Sequence, residues 1–327
     1  MASDPHQHTG AKASPGHIWL VLVVLYVVWG STYLAMRFAI ATIPPFWMAG
    51  TRHFVAGALL FGFVRLRGMR WPSRREWGAA AGIGVLLLTL GNGGVVWAEQ
   101  YVDSGVTALI VAFVAIWMVL IDWLLPSGRR PRRGVFVGLA LGLGGVGLLV
   151  GPAHMGGDQR VSVVGTVVLV VASFAWALGS ILSRRLPLPP EPLLATAMEM
   201  LCGGAMLLVL GGFAGESRHF HLHAVTPQSF LALGYLVVMG SLVGFTAYIW
   251  LLGTARPARV ATYAYVNPLV AVVLGWGLAG EPMGPRTVLA AVVILSGVAC
   301  IVYSSGARPG VTLAAVVVPG HDVSPAR

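Results

Sequence analysis

Ten times along the chain a stretch of about 20 residues runs almost without charge, from "IWLVLVVLYVVWGSTYLAM" near the start to "TVLAAVVILSGVACIVY" near the end. A bilayer core about 30 Å thick takes roughly that many apolar residues to cross as a helix. The stretches fall at 18–40, 45–64, 77–99, 104–125, 134–151, 162–183, 192–213, 229–252, 260–280 and 286–304. The sequence therefore predicts an all-α membrane protein of ten transmembrane helices. The final "GVTLAAVVVPG" is too short to cross and is read as lying outside the membrane.

Composition narrows the function classes. Only 10% of residues are charged and 57% are hydrophobic, with a mean hydropathy of +0.82, whereas soluble domains carry about 25% charged residues. The net charge of +10 invites a nucleic-acid reading. That reading fails, because the arginines sit in short clusters between apolar stretches. Lys12 is the only lysine, so none remains in the bundle for a Schiff base or a phosphate loop. Cys202 and Cys300 both fall inside apolar stretches, which argues against a disulfide framework. The polar opening "MASDPHQHTGAKASPG" leads into the first apolar stretch without a cleavage site, so that stretch reads as a retained helix.

The arginines also predict orientation. With the N-terminus inside, thirteen arginines of the connecting loops (65, 67, 70, 74, 75, 129, 130, 132, 133, 184, 185, 256 and 259) face the cytoplasm, and only Arg160, Arg218 and Arg286 face out. Positive loops stay inside, so both termini are expected in the cytoplasm.

The two halves repeat. "VVWGSTYLAMR" aligns with "FAWALGSILSR", placing Trp29 on Trp176 and Arg37 on Arg184, and "PFWMAGTRHFVAGALLF" aligns without a gap with "PLLATAMEMLCGGAMLL". An odd number of helices per half requires the second copy to be inserted upside down. Such inverted repeats mark secondary transporters, whose sites lie near the midplane between the halves. The expected layout is a cytoplasmic tail over 1–17, a first repeat over 18–151, a second over 162–304 and a cytoplasmic tail over 305–327.

Arg52 is the anomaly, a cation in the otherwise apolar "MAGTRHFVAGALLF". The gapless alignment sets Glu199 on its position, each seven residues past a helix-opening proline, Pro45 and Pro192. In inverted copies the two Cα atoms would differ in depth by only about 10 Å. A lone charge in hydrocarbon costs roughly 3 kcal/mol or more. Two readings stand: a pair exchanged with substrate in a central cavity, or a permanent ion pair holding the halves in register. His53, about 100° further round the helix, is read as a packing residue off that face.

Other residues carry candidate chemistry. Glu99, closing the third stretch, is either a proton carrier in a dry cavity or an interfacial carboxylate in contact with water. Asn92 sits among small residues opposite Gly240 and Ser241 of the other half. Pro268 cannot donate to the carbonyl of Ala264, which makes backbone and the Asn267 amide available to a ligand, with Tyr263 and Tyr265 beside them. Trp29 with Ser31, and Trp176 with Ser180, offer symmetric aromatic walls, and Trp97 and Tyr248 complete the candidate lining.

Three motifs are set aside. "GLGGVG" fits a dinucleotide fingerprint but lies inside a span with no strand before it; Gly134, Gly138 and Gly142 form a close-packing ridge instead. "HFHLH" (His219, His221, His223) would need an extended loop and further ligands to hold zinc. Asp122 is expected to pair with the arginines just beyond it. No motif asks for a cofactor or a metal.

From "YVVWGSTY" through "AGTRHFVAGALL", "GNGGVVWAEQ", "SFAWALGS" and "AMEMLCGGAM" to "TYAYVNPLVAVVLGWGLAGEP", the chain resembles the EamA-type branch of the drug/metabolite transporter superfamily, most closely its YedA-like exporters. The resemblance implies alternating access about a cavity lined by helices 1, 3, 4, 6, 8 and 9, with helices 2 and 7 flanking it. It also implies export of small organic molecules across the inner membrane, driven in many members by protons. On that view Glu99 and Glu199 are the candidate carriers. Ala115 departs from the proline common at its position. Rival readings are a membrane-embedded enzyme, against which stands the absence of HExxH and GxSxG, and a sensor or assembly subunit, for which the loops are too short. Partners are the bilayer, a small-molecule substrate and candidate protons, with no nucleic acid; oligomeric state is left open.

Overall fold

The computed structural model describes residues 14–124, 132–150, 162–255, 260 and 262–304. Among these residues the regular structure is helical and no strand forms. The elements are α1 (Pro15–Ala39), α2 (Pro45–Leu66), α3 (Arg74–Ala98), α4 (Ser104–Leu124) and α5 (Arg133–Val150). They continue as α6 (Val163–Leu182), α7 (Pro192–Phe213), α8 (the pieces Pro227–Tyr235, Leu236–Val243 and Gly244–Thr254), α9 (Tyr263–Ala279) and α10 (Pro285–Ser304). α1, α3, α4, α6, α7 and Pro227–Leu251 within α8 are long and apolar enough to cross a membrane. α2 is not among them, since Arg52 and His53 dilute its apolar character. The final "GVTLAAVVVPG" and the loop arginines at 129, 130, 160, 256 and 259 lie outside the described residues.

Local chemistry sets the helix ends. Proline opens α2, α7 and α8, where its missing N–H costs nothing. Ser73 and Glu76 form a capping box at the start of α3. Ser162 and Thr226 cap α6 and α8 through their hydroxyls. Gly280, at φ +64°, ends α9 in the left-handed conformation that favours glycine.

α2 lies along α7, and α5 along α10. α1 packs on α8 and α9, while α6 packs on α3 and α4. Hydrophobic burial does not drive helices together in lipid, so close backbone contact must do so. On α7, a Cβ at Gly204 would stand 2.5 Å from the Phe54 amide nitrogen of α2. On α10, a Cβ at Gly297 would stand 2.7 Å from the carbonyl of Gly138 and 3.0 Å from the amide of Gly142. The glycine ridge read from the sequence is therefore a helix contact, and "GLGGVG" lies within helical α5.

Gly204→Ala is expected to destabilise the protein by about 1–3 kcal/mol, because the obstructing atoms are backbone. Gly62→Ala, with nothing within 4 Å of the added carbon, should be neutral or slightly stabilising. Thermal melting in detergent separates the two; equal melting points would contradict the packing.

Candidate functional site

Two helices depart from α geometry at matching places. α3 is π-helical over Val85–Asn92 and α8 over Leu236–Val243. Such wide turns recur at functional sites. Here each receives the tryptophan of the opposite half. Trp29 Nε1 donates to the Gly240 carbonyl at 3.2 Å, and Trp176 covers Gly91, where a Cβ would lie 3.1 Å from its ring.

The two stretches also receive the polar residues of α2. Arg52, 4% exposed, donates from Nε to Ser241 Oγ at 3.0 Å and from Nη1 to Met36 Sδ at 3.6 Å. His53 Nε2 donates to Asn92 Oδ1 at 3.0 Å, and its Nδ1 has no partner. Arginine and histidine, adjacent in sequence, thus reach opposite wide turns.

Between them lies a cavity of about 890 Å³, open mouth included. Arg52 and His53 both line it, so His53 is not turned away as its helical offset suggested. Trp29 and Trp176, one from each half, both line it, and Asn92, Tyr263, Asn267 and Pro268 complete the predicted residues present. Trp29 meets Tyr263 edge-on at 5.2 Å. α9 stays helical through Pro268. Asn267 Oδ1 is buried and accepts no hydrogen bond. α1, α3, α4, α6, α8 and α9 all contribute; α2 does too, and α7 does not. The expectation that both α2 and α7 stand aside therefore holds for α7 alone.

Several predicted lining residues lie behind the wall. Ser31 Oγ donates to the Val28 carbonyl and hydrogen-bonds Tyr235 Oη at 2.7 Å. Ser180 Oγ donates to the Trp176 carbonyl. Tyr248 is buried against Trp29 and Tyr263, and Trp97 packs at a tilt against Tyr101. The side chain of Tyr265 lies outside the described residues.

Arg52 and Glu199 do not meet. The ion pairs among the described residues join Arg37 to Asp103, Arg37 to Glu281 and Arg70 to Glu76. Arg52 turns to α8 and α1, whereas the turn of α7 holding Glu199 packs on Gly84 of α3. Each goes to the third helix of the opposite half, so matching positions diverge. Glu199 is 3% exposed, and its Oε1 accepts no hydrogen bond.

Glu99 is not an interfacial carboxylate in water: it is 5% exposed and neither oxygen has a hydrogen-bond partner. It interacts electrostatically with Arg52 and Tyr33, which line the cavity, and with Arg37 and Glu281, which belong to a second cluster.

That second cluster was missed by the sequence reading. Arg37 Nη1 donates to Asp103 Oδ1 and to Glu281 Oε1, both at 2.6 Å. Glu281 also accepts from the Ser104 amide at 2.9 Å, the Ser104 hydroxyl at 2.6 Å and the Gly105 amide at 3.0 Å. A carboxylate from the α9–α10 loop therefore caps the start of α4, where the helix dipole favours it, and binds the last turn of α1. "VDSG" at the start of α4 is the signal that could have suggested it. Glu216 does the same for α2, accepting from the Phe46 and Trp47 amides at 3.0 and 2.9 Å. His221 and His223 stack at 5.4 Å, and no metal-holding cluster occurs among the described residues.

Apolar helices around a cavity of mixed polar and aromatic lining define the class as a membrane transport protein. The EamA-like transporter family matches residues 14–151 and again 163–303, and the chain belongs to that family. It is 39% identical to the Escherichia coli K12 protein named "Uncharacterized inner membrane transporter YedA", over 91% of this chain and 94% of that one. The Bacillus subtilis "Uncharacterized transporter YvbV" is 26% identical over 86% of this chain and 90% of its own. A crystal structure 19% identical superposes with a TM-score of 0.58, covering 88% of this chain and 99% of the other, a likeness of fold.

Removing the cation of the cluster takes away the guanidinium that two buried carboxylates share. Arg37→Met is expected to cost about 3–5 kcal/mol, against about 1 kcal/mol for Ser31→Ala, which removes one neutral hydrogen bond. Unfolding in detergent by urea measures both; an Arg37→Met loss no larger than that of Ser31→Ala would contradict the assignment.

Proposed function

We propose that the chain is an exporter of small organic molecules across the inner (cytoplasmic) membrane, working by alternating access and coupled to protons. On this reading ten helices form two inverted five-helix repeats, over 18–151 and 162–304, with both termini in the cytoplasm. The observation that carries it is the cavity, lined by both halves and flanked by two matched wide turns, each receiving the other half's tryptophan. Exchanged packing supports the repeats: α1 sits on α8 and α9 as α6 sits on α3 and α4. The arginine distribution supports the orientation.

With the N-terminus inside, the Arg37–Asp103–Glu281 cluster stands at the outer end. It ties α1, the start of α4 and the α9–α10 loop, and outward opening must part it. Glu99 feels the charges of Arg52 and of Arg37 and Glu281 in that cluster, so its proton is well placed to influence both. Glu199, buried against α3, is the second candidate carrier.

The test uses proteoliposomes containing a pH-sensitive dye and a panel of labelled metabolites. Wild type is expected to show compound-dependent proton flux for at least one member. Glu99→Gln should lose that flux and keep exchange of the same labelled compound without a gradient. Wild-type proton flux in Glu99→Gln removes Glu99 from coupling, and loss of exchange as well makes it a structural residue.

A further inference from the structure

We infer that the cavity takes an organic carboxylate, with Arg52 holding the carboxylate group and the tryptophans enclosing an apolar body. This rests on the reading of the cavity as the transport site.

Two arginines of the helix layer differ in their partners. Arg37 has two carboxylates at 2.6 Å. Arg52 is 4% exposed and, among the described residues, has no carboxylate within ion-pairing distance. Its recorded partners are a hydroxyl and a thioether, the latter a weak acceptor. A guanidinium offers five N–H donors in a rigid fork. Those two contacts take one hydrogen on Nε and one on Nη1, leaving the second Nη1 hydrogen and both on Nη2. That end of the fork matches the two oxygens of a carboxylate.

The fork is held in place for such a role. Ser241 fixes Nε from the wide turn of α8, and a Cβ at Gly240 would stand 3.0 Å from Nη2. A larger residue at Gly240 would crowd the end left open. A buried cation is costly without a counter-charge, and Glu99, whose carboxylate acts on Arg52 electrostatically, makes no hydrogen bond to it. A ligand carboxylate completes what Glu99 leaves open, and its arrival frees Glu99 from the field of Arg52.

The rest of the lining selects the body. Trp29, Trp176, Phe245 and Tyr263 are aromatic, and Val95, Val111 and Val114 are aliphatic. Arg52 is the one arginine or lysine among the lining residues described. A single guanidinium in such walls suits a monoanion better than a phosphate dianion.

The experiment measures thermal shift of the full chain in detergent with benzoate, 3-phenylpropanoate and 4-phenylbutanoate, each beside its amide and its amine. The acids are expected to raise the melting point of wild type, and the amides and amines to raise it less or not at all. Arg52→Gln should weaken the acids about tenfold or more in Kd, and Arg52→Lys should keep part of the shift. The proposal is overturned if amines or amides shift wild type as much as acids, if none of the acids shifts it, or if the acid shift survives in Arg52→Gln. Should Arg52→Gln not fold, the wild-type ranking and Arg52→Lys decide. An amine-selective shift lost in Asn267→Ala would discard the carboxylate and keep the cavity as the site, so the two readings fail separately.

Discussion

The interior of the helix layer offers no water to a charge, so every ionised side chain there must find its compensation in the protein or in a ligand. Arg37 is compensated twice over, and the result is a fixed joint between α1, α4 and the α9–α10 loop. Arg52 and Glu99 are buried more deeply than Arg37, whose side chain is 26% exposed, but meet only partial compensation. The first arrangement holds a structure together; the second leaves an opening for chemistry. The cavity and its wide turns are arranged around that difference.

The wide turns are what allow Arg52 to be there. A side chain at position 240 would meet the guanidinium, since a Cβ there would stand 3.0 Å from Nη2. The π stretch of α8 instead offers Gly240 and Ser241, one by lacking a side chain and the other by accepting from Nε. The corresponding stretch of α3 ends in Asn92, which takes His53. A guanidinium on one side and an imidazole on the other make the two half-sites chemically different despite their matched geometry.

Much of this was legible in the sequence, for identifiable reasons. Apolar stretches of bilayer length and the glycine ridge of α5 depend on local pattern alone. Of the residues lining the cavity, Trp29 and Trp176 stand out because the alignment of the halves pairs them, and Asn92, Asn267 and Pro268 because each breaks an apolar pattern within a span. What failed depended on direction. Arg52 and Glu199 hold matching positions, yet matching positions face opposite third helices, so alignment does not imply contact. Ser31, Ser180 and Tyr248 lie on the right turns but satisfy their hydroxyls or rings behind the wall. The Arg37–Asp103–Glu281 cluster joins residues far apart in the chain, and no local pattern connects them.

Central to the account is that the cavity opens to one side at the expense of the other. The direct measurement places a single cysteine at Asn267, in a chain with Cys202 and Cys300 replaced by serine. Its rate of reaction with a membrane-impermeant maleimide is followed from each face of sealed vesicles, with and without Glu281→Gln to loosen the outer cluster. The account predicts opposed changes, faster labelling from outside and slower from inside. Rates that rise together would describe a leak, and rates that both stay unchanged would leave the cluster without a role in access; either contradicts it.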